Sequence, residues 1–197
     1  MTTSGKSKKT LIVVLALVAV VVLMAVSVWG WYVKTYNGLV VLDESANTAW
    51  AQIETELQRR YDLVPNLVNT VKGYAAHEDK VLTAVTEARS HVGSARTVND
   101  KMAANGELSS ALSRLLVVSE NYPNLKANQN FLDLQVQLEG TENRITVSRK
   151  RYNDAVLQYN AALRGLFEQF VAKHMGLERK KLFESAQAAE KAPEVKF

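Results

Sequence analysis

The feature that most constrains this chain is the run from Leu11 to Val33. It consists almost wholly of Leu, Val, Ile, Ala, Met and Trp, is broken only by Ser27, Gly30 and Tyr32, and carries no charge. As a helix these twenty-three residues extend about 34 Å, enough to cross a hydrocarbon core of about 30 Å. Trp29, Trp31, Tyr32 and Tyr36 gather at its far end, as amphipathic rings do at a headgroup layer. A cleaved signal peptide is the competing reading, with a basic start over Met1–Lys9 and the small residues Ala25 and Ser27 before a cut. Apolar character continues past Ser27 through Val28, Trp29, Trp31 and Val33, which favours an uncleaved anchor.

Lys6, Lys8, Lys9 and the amino terminus precede the run, whereas Lys34 alone follows it closely, with Asp43 and Glu44 soon after. By the positive-inside rule, residues 1–10 form a short basic cytoplasmic segment and everything after Lys34 lies outside, in a periplasm or extracellular space. The net charge is +4, from 24 basic and 20 acidic residues, and Lys6, Lys8, Lys9 and Lys34 supply all of it. The remainder is formally neutral, so the high isoelectric point gives no argument for nucleic-acid binding. The chain has no cysteine, which excludes disulfide staples, thiolate metal sites, cysteine nucleophiles and cysteine lipidation.

From Tyr36 onward apolar residues fall at Leu39, Leu42, Ala46, Ala49, Ile53, Leu57, Val64, Leu67, Val71 and Tyr74. Steps of three and four draw one stripe on one helix face. Arg59-Arg60-Tyr61-Asp62 interrupts it, and Pro65 follows, where the lost amide donor predicts a kink or a break. A second helix is expected over about 79–102, with Val81, Leu82, Val85 and Ala88 inward, an exposed half from His91, and a turn at Asn105-Gly106. A third runs from Glu107 to Asn121, carrying Leu108, Ala111, Leu112, Leu115 and Leu116, and stops before Pro123.

The last long helix is expected from Leu125 or Ala127 to about Lys173. Its stripe is Phe131, Leu134, Leu138, Ile145, Tyr152, Val156, Tyr159, Leu163, Leu166 and Phe170, with a polar gap around Thr141 and Ser148. A Tyr-Asn pair recurs at 36/37, 152/153 and 159/160. No stretch alternates as a strand. The fold class is therefore all-α, with a transmembrane helix over 11–33 and an antiparallel up-down four-helix bundle over 36–173 whose first and last helices are unusually long. A tail over 174–197, a short helix and then an extended end, closes the chain.

Many ordered elements together resemble the LemA family of bacterial membrane proteins, over nearly everything after the anchor. They are Tyr36-Asn37 with Leu39-Val40, Ala49-Trp50, Arg59-Arg60, Asp62–Val68, Val71–Tyr74, His77-Glu78 and Ala88-Arg89. They continue with Tyr122–Ala127, Phe131, Leu134, Glu142-Asn143, Arg149 and the two later Tyr-Asn pairs, and Pro193, Val195 and Phe197 resemble the family's terminal pattern. The resemblance implies a single-span anchor, a bundle of four long helices and no established biochemical activity. Members include a protein needed for magnetosome membranes. The family has also been placed with its large part in the cytoplasm, against the charge count here. Where the family usually has Phe-Pro this chain has Phe167-Glu168, so the last helix need not bend there.

Two polar clusters interrupt the long stripes. Arg59, Arg60, Asp62, Pro65 and Asn66 lie in the first, and Glu142, Asn143 and Arg149 in the last. One reading is a site for an anionic group or a partner. The other is structural: Asp62 pairs with Arg59 one turn away, and Asn66 or a neighbour satisfies the groups freed by Pro65. If the clusters meet, they form a buried network that fixes helix register. Tyr74, Tyr152 and Tyr159 are expected in the core, with a groove lining as the alternative.

His77, His91 and His174 are isolated, and the second histidine that a zinc-hydrolase motif would need after His77-Glu78 is Val81. Serine-hydrolase, P-loop and di-iron signatures are missing, so no catalytic residue, metal or cofactor is assigned. Arg179, Lys180, Lys181 and Phe183 are expected at a lipid surface. These features predict a membrane-anchored scaffold or adaptor of the bacterial envelope rather than an enzyme. Its partners would be membrane lipid, further copies of itself and another membrane or envelope protein, with no nucleic acid. An envelope hydrolase with a site between the long helices is the alternative.

Overall fold

A computed structural model describes residues 4–75 and 77–183, with side chains from Leu11 onward. The side chains of Lys6, Lys8 and Lys9, and the expected tail end with Pro193, Val195 and Phe197, lie outside the described residues. Within them the chain is all-helical: α1 Ser4–Lys72, α2 Asp79–Ser94, α3 Val98–Ser119, α4 Pro123–Lys126, α5 Gln129–Ala162 and α6 Glu168–Met175. Two compact units result. The first takes the chain up to Ser45 together with Gln158–Lys180, and the second takes Ala46–Leu157 and the chain from Lys181.

The large apolar side chains from Leu11 to Trp29 are all at least half exposed, and this part of α1 is a candidate membrane span by length and composition. Further along the first unit, Leu39 of α1 packs with Tyr159 and Leu163 and with Val171 and Ala172 of α6. In the second unit one core joins Val64, Leu67 and Val71 of α1 to Val85 of α2, Leu108 and Leu115 of α3, Leu125 of α4 and Phe131 of α5. A second cluster there joins Ala46, Ile53 and Leu57 to Ile145, Tyr152, Val156 and Phe183. Burying each of the larger of these side chains contributes about 1.5–3 kcal/mol. The predicted stripes are thus the core, except at three positions: Tyr74, Leu166 and Phe170 are 45%, 88% and 74% exposed.

The boundaries depart from expectation where side chains override local propensity. Helix α1 does not break at Pro65. The turn expected at Asn105-Gly106 lies instead at Ala95–Thr97, and both residues sit inside α3. Thr97 and Asp100 form a reciprocal capping box there, Asp100 N donating to Thr97 Oγ1 and Thr97 N to Asp100 Oδ2. That box satisfies two amides that a helix start leaves open, whereas the Asn105 side chain is engaged elsewhere. Tyr122, before Pro123, leaves the helical region as expected (φ −120°, ψ 82°). Asn128 then accepts the amide of Phe131, as a cap residue does for a new helix.

The last long helix also ends early, at Ala162 rather than Lys173. Arg164 N and Gly165 N turn to the carbonyls three residues back, Ala161 and Ala162 (both 3.1 Å). Gly165 stands in this turn, and the Glu168 carboxylate folds over the place that a Cβ there would take. Helix α6 stops at Gly176, whose φ of 68° suits glycine, with Leu177 N bonded to Ala172 O and Gly176 N to Lys173 O. The short helix expected in the tail does not begin by Phe183: residues 177–183 carry no helix.

Candidate functional site

Among the described residues Arg60 is the one charged side chain that is buried, at 4% exposure. The stripe of α1 carries it into the second unit, where its Nη1 donates to Asn105 Oδ1 (3.3 Å) and Ser109 Oγ (2.9 Å) of α3 and to Glu142 Oε2 of α5. Its Nε is buried without a hydrogen-bond partner. Burial pulls the guanidinium pKa down and Glu142 opposes that pull. An arginine begins so far above neutrality that it stays charged, so Glu142 serves as its counterion. Thr141, fully buried beside this centre in sequence, satisfies itself by donating to Leu138 O (2.7 Å). The arrangement neutralises a buried charge with the chain's own groups and ties α1 to α3 and α5.

One turn along α1 the same unit repairs the damage done by Pro65. Proline supplies no N–H to the carbonyl four residues back, which is that of Tyr61. Arg89 Nε of α2 donates to Tyr61 O instead (3.1 Å), and its guanidinium lies 3.8 Å over the Tyr61 ring. Gly93, one turn further along α2, leaves room for that ring: a Cβ would stand 3.2 Å from the Tyr61 hydroxyl.

Each unit also holds one copy of the same side-chain device on the segment after α6. In the first, Asn160 Nδ2 donates to Lys180 O (2.8 Å) while Asn160 Oδ1 accepts Lys180 N (3.0 Å), and Tyr159 donates to Glu178 O (2.9 Å). Lys180 also pairs with Asp43 (3.0 Å). In the second, Asn153 bonds both backbone groups of Phe183 (3.0 and 2.7 Å) and Tyr152 donates to Lys181 O (3.0 Å). Burial raises the pKa of both phenols, and for Tyr159 the Asp43 and Glu178 carboxylates add to the rise. Arg149 caps the second copy with its guanidinium 4.1 Å over the Phe183 ring. Its pKa is lowered by burial and partly restored by Glu142.

The model of the LemA family matches residues 49–197. The chain belongs to the LemA family. It is 25% identical to a protein named magnetosome protein MamQ 2 from Paramagnetospirillum magneticum, over 89% of this chain and 74% of that one. It is 24% identical to a magnetosome protein MamQ from Magnetospirillum gryphiswaldense (88% and 74%), and 21% identical to a protein LemA from Metamycoplasma hominis (79% and 72%).

Of the LemA-family residues singled out in the two polar clusters, Arg60 and Glu142 meet directly. The others are placed differently. Asp62 accepts from Gln58 Nε2 (2.9 Å), four residues back on the same helix, rather than pairing with Arg59. Arg59, Asn66 and Asn143 are exposed, and the Asn66 carbonyl accepts from Thr70 Oγ1 (2.8 Å). Arg149 stacks on Phe183 and takes no part in the hydrogen bonds around Arg60. Arg179 and Lys181 are exposed, but Phe183 is core at 5% exposure, held there by Asn153, and does not face lipid. Of the three tyrosines expected inward, Tyr152 and Tyr159 are buried, while Tyr74 is half-exposed and accepts from Asn128 Nδ2 (2.9 Å).

Sequence reasoning missed Asn105, Ser109 and Arg89, whose partners are more than twenty residues away in the chain. It noted the Tyr-Asn repeat without its use. A spacing of seven residues returns to the same helix face, and that was the available signal.

Proposed function

We propose that this chain is a membrane-anchored helical scaffold or adaptor protein of a bacterial envelope. The span over 11–33 crosses the cell membrane once with residues 1–10 in the cytoplasm, and the helical domain, an antiparallel up-down four-helix bundle, stands outside. The domain self-associates and recruits a membrane or envelope partner. The observation that carries this reading is the enclosure of Arg60: its acceptors are the chain's own Asn105, Ser109 and Glu142, so the strongest polar centre orders helices instead of receiving a substrate. Relatives named for the magnetosome support a role in membrane organisation.

Crosslinking and co-purification of the full-length protein from its native membrane test the proposal. Recovery of the chain with itself supports a scaffold, and recovery of a protease or transporter makes it an adaptor. A domain that stays strictly monomeric in mild detergent at micromolar concentration removes the self-association. Protease accessibility in intact cells decides the orientation. The hydrolase alternative requires an activity that Glu142→Gln abolishes without loss of fold.

A further inference from the structure

We propose that the α5–α6 turn and α6 form an interfacial lipid-binding surface, in which Leu166, Phe167 and Phe170 enter the headgroup–acyl boundary and Arg164, Lys173 and Arg179 hold the phosphate of an anionic phospholipid. The inference rests on the reading of 11–33 as a membrane span, and every residue it uses belongs to the first unit.

Three observations converge. The Phe167 ring packs edge-to-face on Trp31, with centroids 5.3 Å apart and planes at 72°. Trp31 lies in the aromatic end of the candidate span, where Trp29, Tyr32 and Tyr36 follow one another at ring spacings of 6.2 and 6.3 Å. Rings of that kind mark the headgroup layer, so the turn carrying Phe167 is held at its depth.

The turn is also apolar where a soluble turn would be polar. Leu166, Phe167 and Phe170 are 88%, 65% and 74% exposed, while Val171 and Ala172 beside them are buried. Helix α6 thus spends one apolar face on the protein core, while Phe167 just before it touches Trp31 and Leu166 and Phe170 stay largely open. Water is a poor neighbour for two phenyl rings and an isobutyl group side by side, and the acyl boundary next to Trp31 is a good one.

The charge pattern completes the match. An open cleft of about 480 Å³ is lined by Arg164, Lys173 and Arg179 together with the apolar Leu163, Ala172 and Leu177. Among the described residues none of these three cations is in an ion pair, whereas the neighbouring Lys180 is held by Asp43. Three cations over an apolar floor suit an anion attached to hydrocarbon, and basic residues next to a span draw anionic lipid.

The chain lacks cysteine, so single substitutions can be labelled cleanly. Leu166→Cys and, as a depth reference, Val20→Cys are each made in the full-length protein, spin-labelled and reconstituted into vesicles of phosphatidylcholine alone or mixed with phosphatidylglycerol. Collisional relaxation by oxygen and by a water-soluble nickel chelate then reads depth. The expected result is a deep label at 20 and a shallow but lipid-immersed label at 166. The label at 166 moves deeper in phosphatidylglycerol, and Arg164→Gln/Lys173→Gln/Arg179→Gln abolishes that shift.

A deep label at 20 with a fully aqueous label at 166 overturns this inference and leaves the anchor standing. An aqueous label at 20 overturns the anchor itself. Equal depth at 166 in both lipids overturns the headgroup assignment. Spin–spin broadening at 166 that persists on dilution with excess lipid places a second copy of the chain on the surface instead. Leu166 and the three cations are exposed, so these variants leave the core intact, and unchanged helicity by circular dichroism confirms it.

Discussion

Arg60 fixes how much this fold depends on single side chains. A guanidinium at 4% exposure has lost its water, and Glu142, whose side chain is 39% exposed, keeps part of its own. Removing the carboxylate alone leaves a desolvated cation. Glu142→Ala is therefore expected to lower unfolding stability by about 3 kcal/mol, the low end for a broken buried pair because Glu142 is not fully enclosed. Replacing both partners with apolar residues, Arg60→Met with Glu142→Leu, should come close to the parent, since neither charge is then stranded. Urea unfolding of the parent and the two variants checks the order; an Ala variant as stable as the parent would show that water or a shifted neighbour replaces the carboxylate. The sequence signalled the need for such a pair, because Arg60 interrupts an apolar stripe and Glu142 falls in the gap of the other. It could not signal Asn105: an Asn-Gly pair reads locally as a turn, and only the arrival of Arg60 makes its amide worth keeping inside α3.

At the scale of elements, Pro65 and Arg89 act as one feature on two helices. The proline strips the Tyr61 carbonyl of its helical partner and the arginine replaces that partner. Arg89→Ala is expected to cost about 1–2 kcal/mol, from a stranded carbonyl and a lost cation–π contact. In a Pro65→Ala background an N–H returns to Tyr61 O, so the same change should cost clearly less. A double-mutant cycle by thermal or urea unfolding measures that coupling, and equal costs in both backgrounds would sever the link between the two residues. Helix existence was legible because steps of three and four persist over many turns from Leu39 to Val71 and from Phe131 to Leu163. Helix ends were not. The capping box at Thr97 and Asp100 competed with the more familiar Asn-Gly signal and prevailed because a box satisfies two amides at once. The early end of α5 at Ala162 has no comparable signal in the sequence, and the turn after it leaves Leu166 and Phe170 exposed, although they continue the stripe by spacing.

For the molecule as a whole, Tyr152 and Tyr159 contribute an alkaline dependence of stability. Both phenols are raised above the ordinary value of 10.0, chiefly by burial, and both donate to a backbone carbonyl. A folded group that holds its proton more tightly than the unfolded chain contributes stability that is complete below the unfolded pKa and lost as pH rises through the folded one. The melting temperature should thus be insensitive to these groups below about pH 10 and fall above it, and the double variant Tyr152→Phe/Tyr159→Phe should lose much of that alkaline slope. Thermal melts from neutral to strongly alkaline pH test it, with an unchanged slope in the double variant as the contrary result. The hydrogen bonds that these tyrosines share with Asn153 and Asn160 all go to peptide groups of the clamped segment. Such a grip is blind to sequence: at 180, proline alone would forfeit the amide bond. Lys181 and Leu182, both exposed, can therefore be replaced without loss of either grip, and the short stretch between the two clamps is where this protein can acquire a new outward chemistry without disturbing how it folds.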